Sequence, residues 1–178
     1  MPDSQQPQQG IDLIVEFFNR NSHKDLRVLD VGAGMGKWSK LLKNKTFLMD
    51  AVEAHAPYIE RFGLKALYSN VHNYDIRNFE YEKGTYDIVI LGDVLEHLEF
   101  DDAIKLIEDM KQKVSIIFLT IPITICVQDG SVYGNEFETH RYQWSDKEIQ
   151  QILGFKLLNV GGNDNGLVGI GTYIWGRN

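Results

Sequence analysis

The sequence holds a single cysteine, Cys126, so an internal disulfide is impossible and a reducing compartment fits. It has no apolar stretch long enough to cross a bilayer. Met1 to Gly10 lack the basic start and apolar centre of a signal peptide. Those ten residues are polar and rich in Gln and Pro, and are expected to form a flexible tail or lid segment before a single domain over 11–178. Together these absences point to a cytoplasmic protein with no membrane partner. Positive charge is scarce too: 18 Lys and Arg stand against 25 Asp and Glu, the net charge is −7, and no basic cluster appears. A protein that grips a phosphate backbone carries a basic face, so nucleic acid is a disfavoured partner. No repeat or internal linker divides the 178 residues, which is the length of one domain with a substantial core. A monomer and a homodimer both remain open.

What the sequence does have is alternation. Ile11, Ile14, Val15 and Phe18 recur at helical spacing. Buried strands are expected at Leu26–Val31, Phe47–Val52, Ala66–Tyr68, Tyr86–Leu91 and Val114–Ile121. Helices separate them: one over Lys37–Leu42, one with Pro57 in its first turn and Gly63 at its end, and one from Asp101 to Lys113 with Ala103, Ile104, Ile107 and Met110 inward. Near-continuous apolar runs alternating with amphipathic helices indicate a parallel sheet covered on both faces, a three-layer α/β sandwich. The end of the chain differs. Ser145 to Glu148 reads as a capping box, Ile149, Ile152 and Leu153 form the helix stripe, and Gly154 stops it. Strands at Phe155–Val160 and Leu167–Trp175 are joined by a short Gly/Asn/Asp turn, so they pair antiparallel and give the sheet an antiparallel edge.

Chemistry concentrates at the first strand–helix junction, Asp30-Val-Gly-Ala-Gly-Met-Gly36. Glycines there allow a tight turn and close approach to a ligand. Glu53 ends the next strand, 23 residues after Asp30, and an acid in that place accepts hydrogen bonds from ribose hydroxyls. A dinucleotide fingerprint would put its third glycine at the position of Lys37. Here it comes one residue early, at Gly36, which opposes a nicotinamide oxidoreductase.

The acid-x-Gly-x-Gly-x-Gly pattern resembles motif I of the class I S-adenosylmethionine-dependent methyltransferases, and the likeness runs from Val28 to about Trp175. It implies a seven-stranded Rossmann-like sheet in the order 3-2-1-4-5-7-6 with an antiparallel last strand. It implies S-adenosylmethionine as cofactor and S-adenosylhomocysteine as product. By this resemblance Asp30, Gly32, Ala33, Gly34 and Gly36 cradle the methionine part, and Glu53 with Ala54 meets the ribose. Asp75 and Ile76 meet adenine. Gly92, Asp93, Val94 and His97 belong to the loop after the fourth strand, within Tyr86–Leu98, which looks like the family's signature there. Amino-directed DNA methyltransferases carry Asn/Asp-Pro-Pro-aromatic at that place, whereas this chain has Gly92-Asp-Val-Leu.

The acceptor side falls to the long, weakly periodic segment Pro122–Trp144, since such connections in compact domains are usually functional. His140 suits a general base, the alternative being a plain hydrogen-bonding histidine. Tyr133, Asn135, Glu138, Tyr142 and Trp144 are acceptor-site candidates. The two aromatics either stack on an acceptor or pack in the core. Glu136, Glu138 and His140 would share a face if the segment were extended, but that spacing is common by chance and no metal site is assigned to it. Methyl transfer to a small molecule or glycan-type acceptor is the expected function. A protein acceptor and a non-catalytic, cofactor-binding partner subunit are the alternatives. An open acidic groove would favour a basic peptide, and a closed pocket a metabolite.

Overall fold

A computed structural model describes residues 8–22, 25–42, 47–162 and 168–177. In chain order the elements are α1 (Gln8–Arg20), β1 (Arg27–Val31), α2 (Lys37–Leu42), β2 (Leu48–Val52), α3 (Ala56–Arg61), β3 (Val71–His72), β4 (Ile88–Gly92), α4 (Phe100–Lys113), β5 (Ile116–Pro122), α5 (Asp146–Gln151), β6 (Lys156–Gly162) and β7 (Gly169–Gly176). They form one seven-stranded sheet in the order β3-β2-β1-β4-β5-β7-β6. The pairs among β1 to β5 are parallel, while β7 runs antiparallel to both β5 and β6. The expected strand order and antiparallel edge are both present.

Alternate strand residues feed two cores. Val28, Met49, Ala51, Ile88, Ile90 and Phe118 pack with Ile11, Ile14 and Phe18 of α1 and with Trp38 and Ile59 on one face. Leu29, Val31, Val89, Leu91, Ile117 and Leu119 pack with Ala103, Ile107 and Met110 of α4 and with Ile149 on the other. Burial on both faces explains why these strands read as unbroken apolar runs rather than as alternation. At the edge the ladder between β6 and β7 slips at Leu157/Asn159, a bulge.

Three details depart from expectation. α1 begins at Gln8, so the last three residues of the expected tail are helical, and Gly10 is buried. A Cβ at Gly10 would sit 2.1 Å from Thr172 Oγ1, so the helix reaches β7 only because this residue has no side chain. The third strand is not Ala66–Tyr68. Leu64–Ala66 is a 3₁₀ turn led by Gly63 at φ +61°, and it turns Leu64 and Tyr68 into the core; the strand is the two-residue Val71–His72 beyond polar Ser69 and Asn70. Ile152 falls past the end of α5 and is 51% exposed, so Ile149 and Leu153 carry the buried face without it. The turn between β6 and β7 lies at 163–167, outside the described residues. The capping box of Ser145 and Glu148 is formed as expected, and Gly154 takes φ +64° at the stop.

Candidate functional site

A cavity of about 550 Å³ opens where β1, β2 and β4 end, at the point where the chain order reverses beside β1. Its floor comes from the turn after β1. Gly32, Gly34 and Gly36 have φ of +67°, +51° and +74°. The amides of Gly32 and Ala33 both donate to Val52 O, which fixes the turn against β2. Gly32, Ala33 and Gly34 line the cavity, whereas Gly36 lies behind it, facing Leu67 and Leu64.

Glu53 is 6% exposed and lines the cavity. One carboxylate oxygen accepts from Gly34 N at 2.9 Å and the other from His55 N at 2.8 Å. Asn73 Nδ2 donates to the carbonyls of Glu53 and Ala54, which secures the backbone on either side. Burial raises the Glu53 pKa, and the hydrogen bonds from the two amides offset only part of the rise. A carboxylate whose oxygens keep lone pairs facing the cavity is a fit acceptor for paired hydroxyls.

Asp30 is placed differently from expectation. It is 1% exposed and lies outside the cavity lining, accepting a hydrogen bond from Tyr68 OH at 2.5 Å. It thus ties β1 to Tyr68, just beyond the Leu64–Ala66 turn. Burial raises its pKa to about 7 despite the Tyr68 bond, and nearby Glu53 adds to the rise. A carboxyl whose folded pKa is raised gives stability that is full below the unfolded value near 3.8 and is lost as pH rises through about 7. Asp30→Asn is therefore expected to gain stability relative to the parent as pH goes from 5 to 8. Thermal melts across that range check it, and a constant difference would show that Asp30 does not titrate there.

On the far wall Ile76 is buried and Asp75 half-buried, both lining the cavity. Asp75 caps the following turn through Arg77 N and forms an ion pair with the Arg77 guanidinium at 2.5 Å. Burial opposes its charge, yet the Arg77 hydrogen bonds hold its pKa below the ordinary value. Gly92, Asp93 and Val94 follow β4 into the cavity, with Asp93 in the left-handed region at φ +56°. Such a conformation is strained for a residue other than glycine and concentrates at functional sites. Lys37, which sequence inspection passed over, also lines the cavity. Burial lowers its pKa to about 8, offset by Asp93 and Asp30.

The acceptor segment divides. Asn135, Glu138 and His140 line the cavity, and the Tyr133 side chain lies outside the described residues. Tyr142 and Trp144 do not line it. Trp144 is fully buried, stacked on Phe100 with ring centroids 5.4 Å apart, and donates to Leu95 O. Tyr142 donates to Glu148 Oε1 of the capping box. Both are packing residues because each ring sits under α4 and α5, where a partner for its polar atom is already present. Glu136–Glu138 is a 3₁₀ turn, so the face once shared with His140 does not form.

His140 instead meets His97, their ring centroids 4.9 Å apart, with Glu96 beside them. Glu96 was missed in the sequence, where it falls within Tyr86–Leu98 without a role of its own. It is 2% exposed, and its Oε2 has no hydrogen-bond partner among the described residues. Its backbone carbonyl accepts from the amides of Arg141 and Tyr142, joining the acceptor segment to the loop after β4. Burial and Asp93 raise the Glu96 pKa well above the usual range. Burial and the neighbouring His140 lower that of His97 to about 4, and burial lowers that of His140.

A mostly parallel Rossmann-like sheet with its crevice beside β1, a glycine turn and an acid ending β2 defines a nucleoside-binding α/β domain. The chain belongs to the family described as Methyltransferase domain, whose model matches residues 3–153. No curated protein matches it. Among solved structures it is similar to the PH0226 protein of Pyrococcus horikoshii OT3, with TM-score 0.69 and 15% identity over 99% of this chain and 93% of that one. It is also similar to magnesium protoporphyrin IX methyltransferase of Synechocystis PCC 6803 with bound SAH, with TM-score 0.68 and 21% identity over 96% and 83%. The SAH-bound N-terminal domain of EvdMO1 gives TM-score 0.71 and 12% identity over 97% and 82%. No helix among the described residues is long and apolar enough to cross a membrane.

Proposed function

We propose that this protein transfers the methyl group of S-adenosylmethionine to a small, hydroxyl-bearing acceptor. The observation that carries this reading is Glu53, a buried carboxylate held by the Gly34 and His55 amides at the end of β2 and exposed to the cavity. Two of the similar solved structures contain SAH, which agrees with that cofactor. When bound, S-adenosylmethionine supplies a methyl already activated on a sulfonium, so the protein's work is alignment and exclusion of water. Glu53 holds the ribose hydroxyls, Asp75 and Ile76 meet the adenine, and the glycine turn with Lys37 meets the methionine carboxylate. Asp93, Val94 and His97 close the methionine side.

The acceptor lies under the 122–144 segment. Asn135, Glu138 and His140 face inward, while Ile125 and Val127, 83% and 91% exposed, alternate with inward-facing Cys126 and Gln128. A cavity walled on that side suits a metabolite better than a peptide chain. His140, neutral because of its lowered pKa, is suited to accept a proton from a hydroxyl.

Calorimetric titration with S-adenosylmethionine, S-adenosylhomocysteine and NAD tests the cofactor. Binding of both sulfur compounds and not of NAD is the expected result. Tight NAD binding would overturn it. Binding of the sulfur compounds with no S-adenosylhomocysteine formed from any hydroxylated acceptor would point to a non-catalytic binding subunit.

A further inference from the structure

Glu96, His97 and His140 each offer one ligand atom, and these atoms all lie within 4.8 Å of one another. They come from two separated parts of the chain, the loop after β4 and the end of the 122–144 segment, and all three line the cavity. The Glu96 carboxylate is the telling member. It is 98% withdrawn from solvent, and Oε2 has no hydrogen-bond donor among the described residues. A buried carboxylate oxygen left so is costly; a proton or a cation removes the cost, and the two imidazoles beside it favour the cation.

The two imidazoles are prepared in the same sense. His97 Nδ1 faces Thr139 O at 3.2 Å, and His140 Nδ1 faces Cys126 O at 2.5 Å. A carbonyl accepts from N–H, so each ring carries its proton on Nδ1 and keeps a lone pair on Nε2. This is how metal-binding histidines are oriented, with the second nitrogen tied to a backbone carbonyl. Bonds of about 2.1 Å to a cation would draw the three groups closer than they stand now, through side-chain rotation.

We propose that Glu96, His97 and His140 bind a divalent first-row transition cation whose remaining positions open into the cavity and take oxygen atoms of the acceptor. One carboxylate with two imidazoles suits Zn²⁺, Mn²⁺, Fe²⁺ or Co²⁺ better than Mg²⁺, which prefers an all-oxygen shell. The acceptor class narrows accordingly to molecules with two neighbouring oxygens, a vicinal diol, a catechol or a hydroxy acid. This deepens the methyltransferase reading and rests on it for the acceptor, but not for the cation. In this arrangement His140 is a ligand rather than a proton acceptor.

The test uses the purified full chain after chelation, titrated with Co²⁺ and followed by visible absorption and calorimetry. One Co²⁺ per chain is expected, with affinity weakened at least tenfold in Glu96→Gln and in His140→Ala, and with Zn²⁺ competing for the site and Mg²⁺ failing to. Thermal melts establish that the variants are folded, and Glu96→Gln keeps the shape of the buried side chain. Absence of Co²⁺ binding, or binding equally tight in parent and variants, overturns the proposal. S-adenosylmethionine is titrated into the chelated parent separately. Cofactor binding without Co²⁺ binding sinks the cation site alone, and Co²⁺ binding without cofactor binding sinks the methyltransferase reading while leaving the cation site standing.

Discussion

Glu53→Ala is expected to weaken S-adenosylmethionine binding by about 1–3 kcal/mol, roughly 5- to 150-fold, the scale of losing hydrogen bonds to a charged group. The substitution acts at two levels. It removes the acceptor for the ribose hydroxyls, and it releases the amides of Gly34 and His55, which Glu53 now holds at 2.9 and 2.8 Å. The glycine turn therefore loses its brace along with the sugar its anchor. Glu53→Gln keeps the volume but offers one carbonyl oxygen in place of two carboxylate oxygens, so its loss should fall between parent and alanine variant. Calorimetry on the three proteins, with thermal melts beside it, measures the effect. Unchanged affinity in the alanine variant would remove Glu53 from the cofactor site and with it the observation on which the function rests.

Trp144→Ala should cost about 3–5 kcal/mol of folding stability, the usual range for truncating a buried tryptophan. That is a large part of the roughly 5–15 kcal/mol that holds a domain of this kind together. The ring is fully buried, stacked on Phe100, in edge contact with Tyr142, and bonded through Nε1 to Leu95 O. Trp144→Phe keeps an aromatic face toward Phe100 and loses the Leu95 bond, so a smaller loss is expected. Chemical denaturation of both variants gives the numbers. A normal melting transition in Trp144→Ala together with lost turnover would return the residue to the acceptor site.

Much of the fold was legible because its physics is local. Val28–Val31, Ile88–Leu91 and Ile116–Ile121 are apolar on both faces, and a strand buried on both faces leaves that trace. The glycine turn was legible because positive φ is written in the residue type at Gly32, Gly34 and Gly36. The β3 strand was not, since a two-residue edge strand next to Ser69 and Asn70 has no apolar run to show, and the apolar residues before it belong to a turn. At the site the missing information was tertiary. Asp30 belongs to the motif, but nothing local says that Tyr68, 38 positions away, would take its carboxylate out of the cavity. Glu96 sits inside the Tyr86–Leu98 signature with nothing local to single it out, and only the folded chain brings His140 across to it. Tyr142 and Trp144 had the composition of a ligand platform and the location of a core.

The carbonyl of Glu96 receives the amides of both Arg141 and Tyr142, and at the other end of the same stretch Ile123 N donates to Gly169 O. The stretch between β5 and α5 is thus tied down at each border, and inside it is held by its own bonds: Gln128 O accepts from His140 N, Gln128 Nε2 donates to Glu138 O, and Thr139 Oγ1 accepts from Gly130 N. It is a self-bonded unit set beside the sheet: none of these bonds belongs to the β1–β4 ladder. What a graft of it must preserve is the pair of fastenings and the Trp144 plug just beyond them. On the function proposed above, swapping this stretch between relatives with those borders retained is expected to exchange their acceptors.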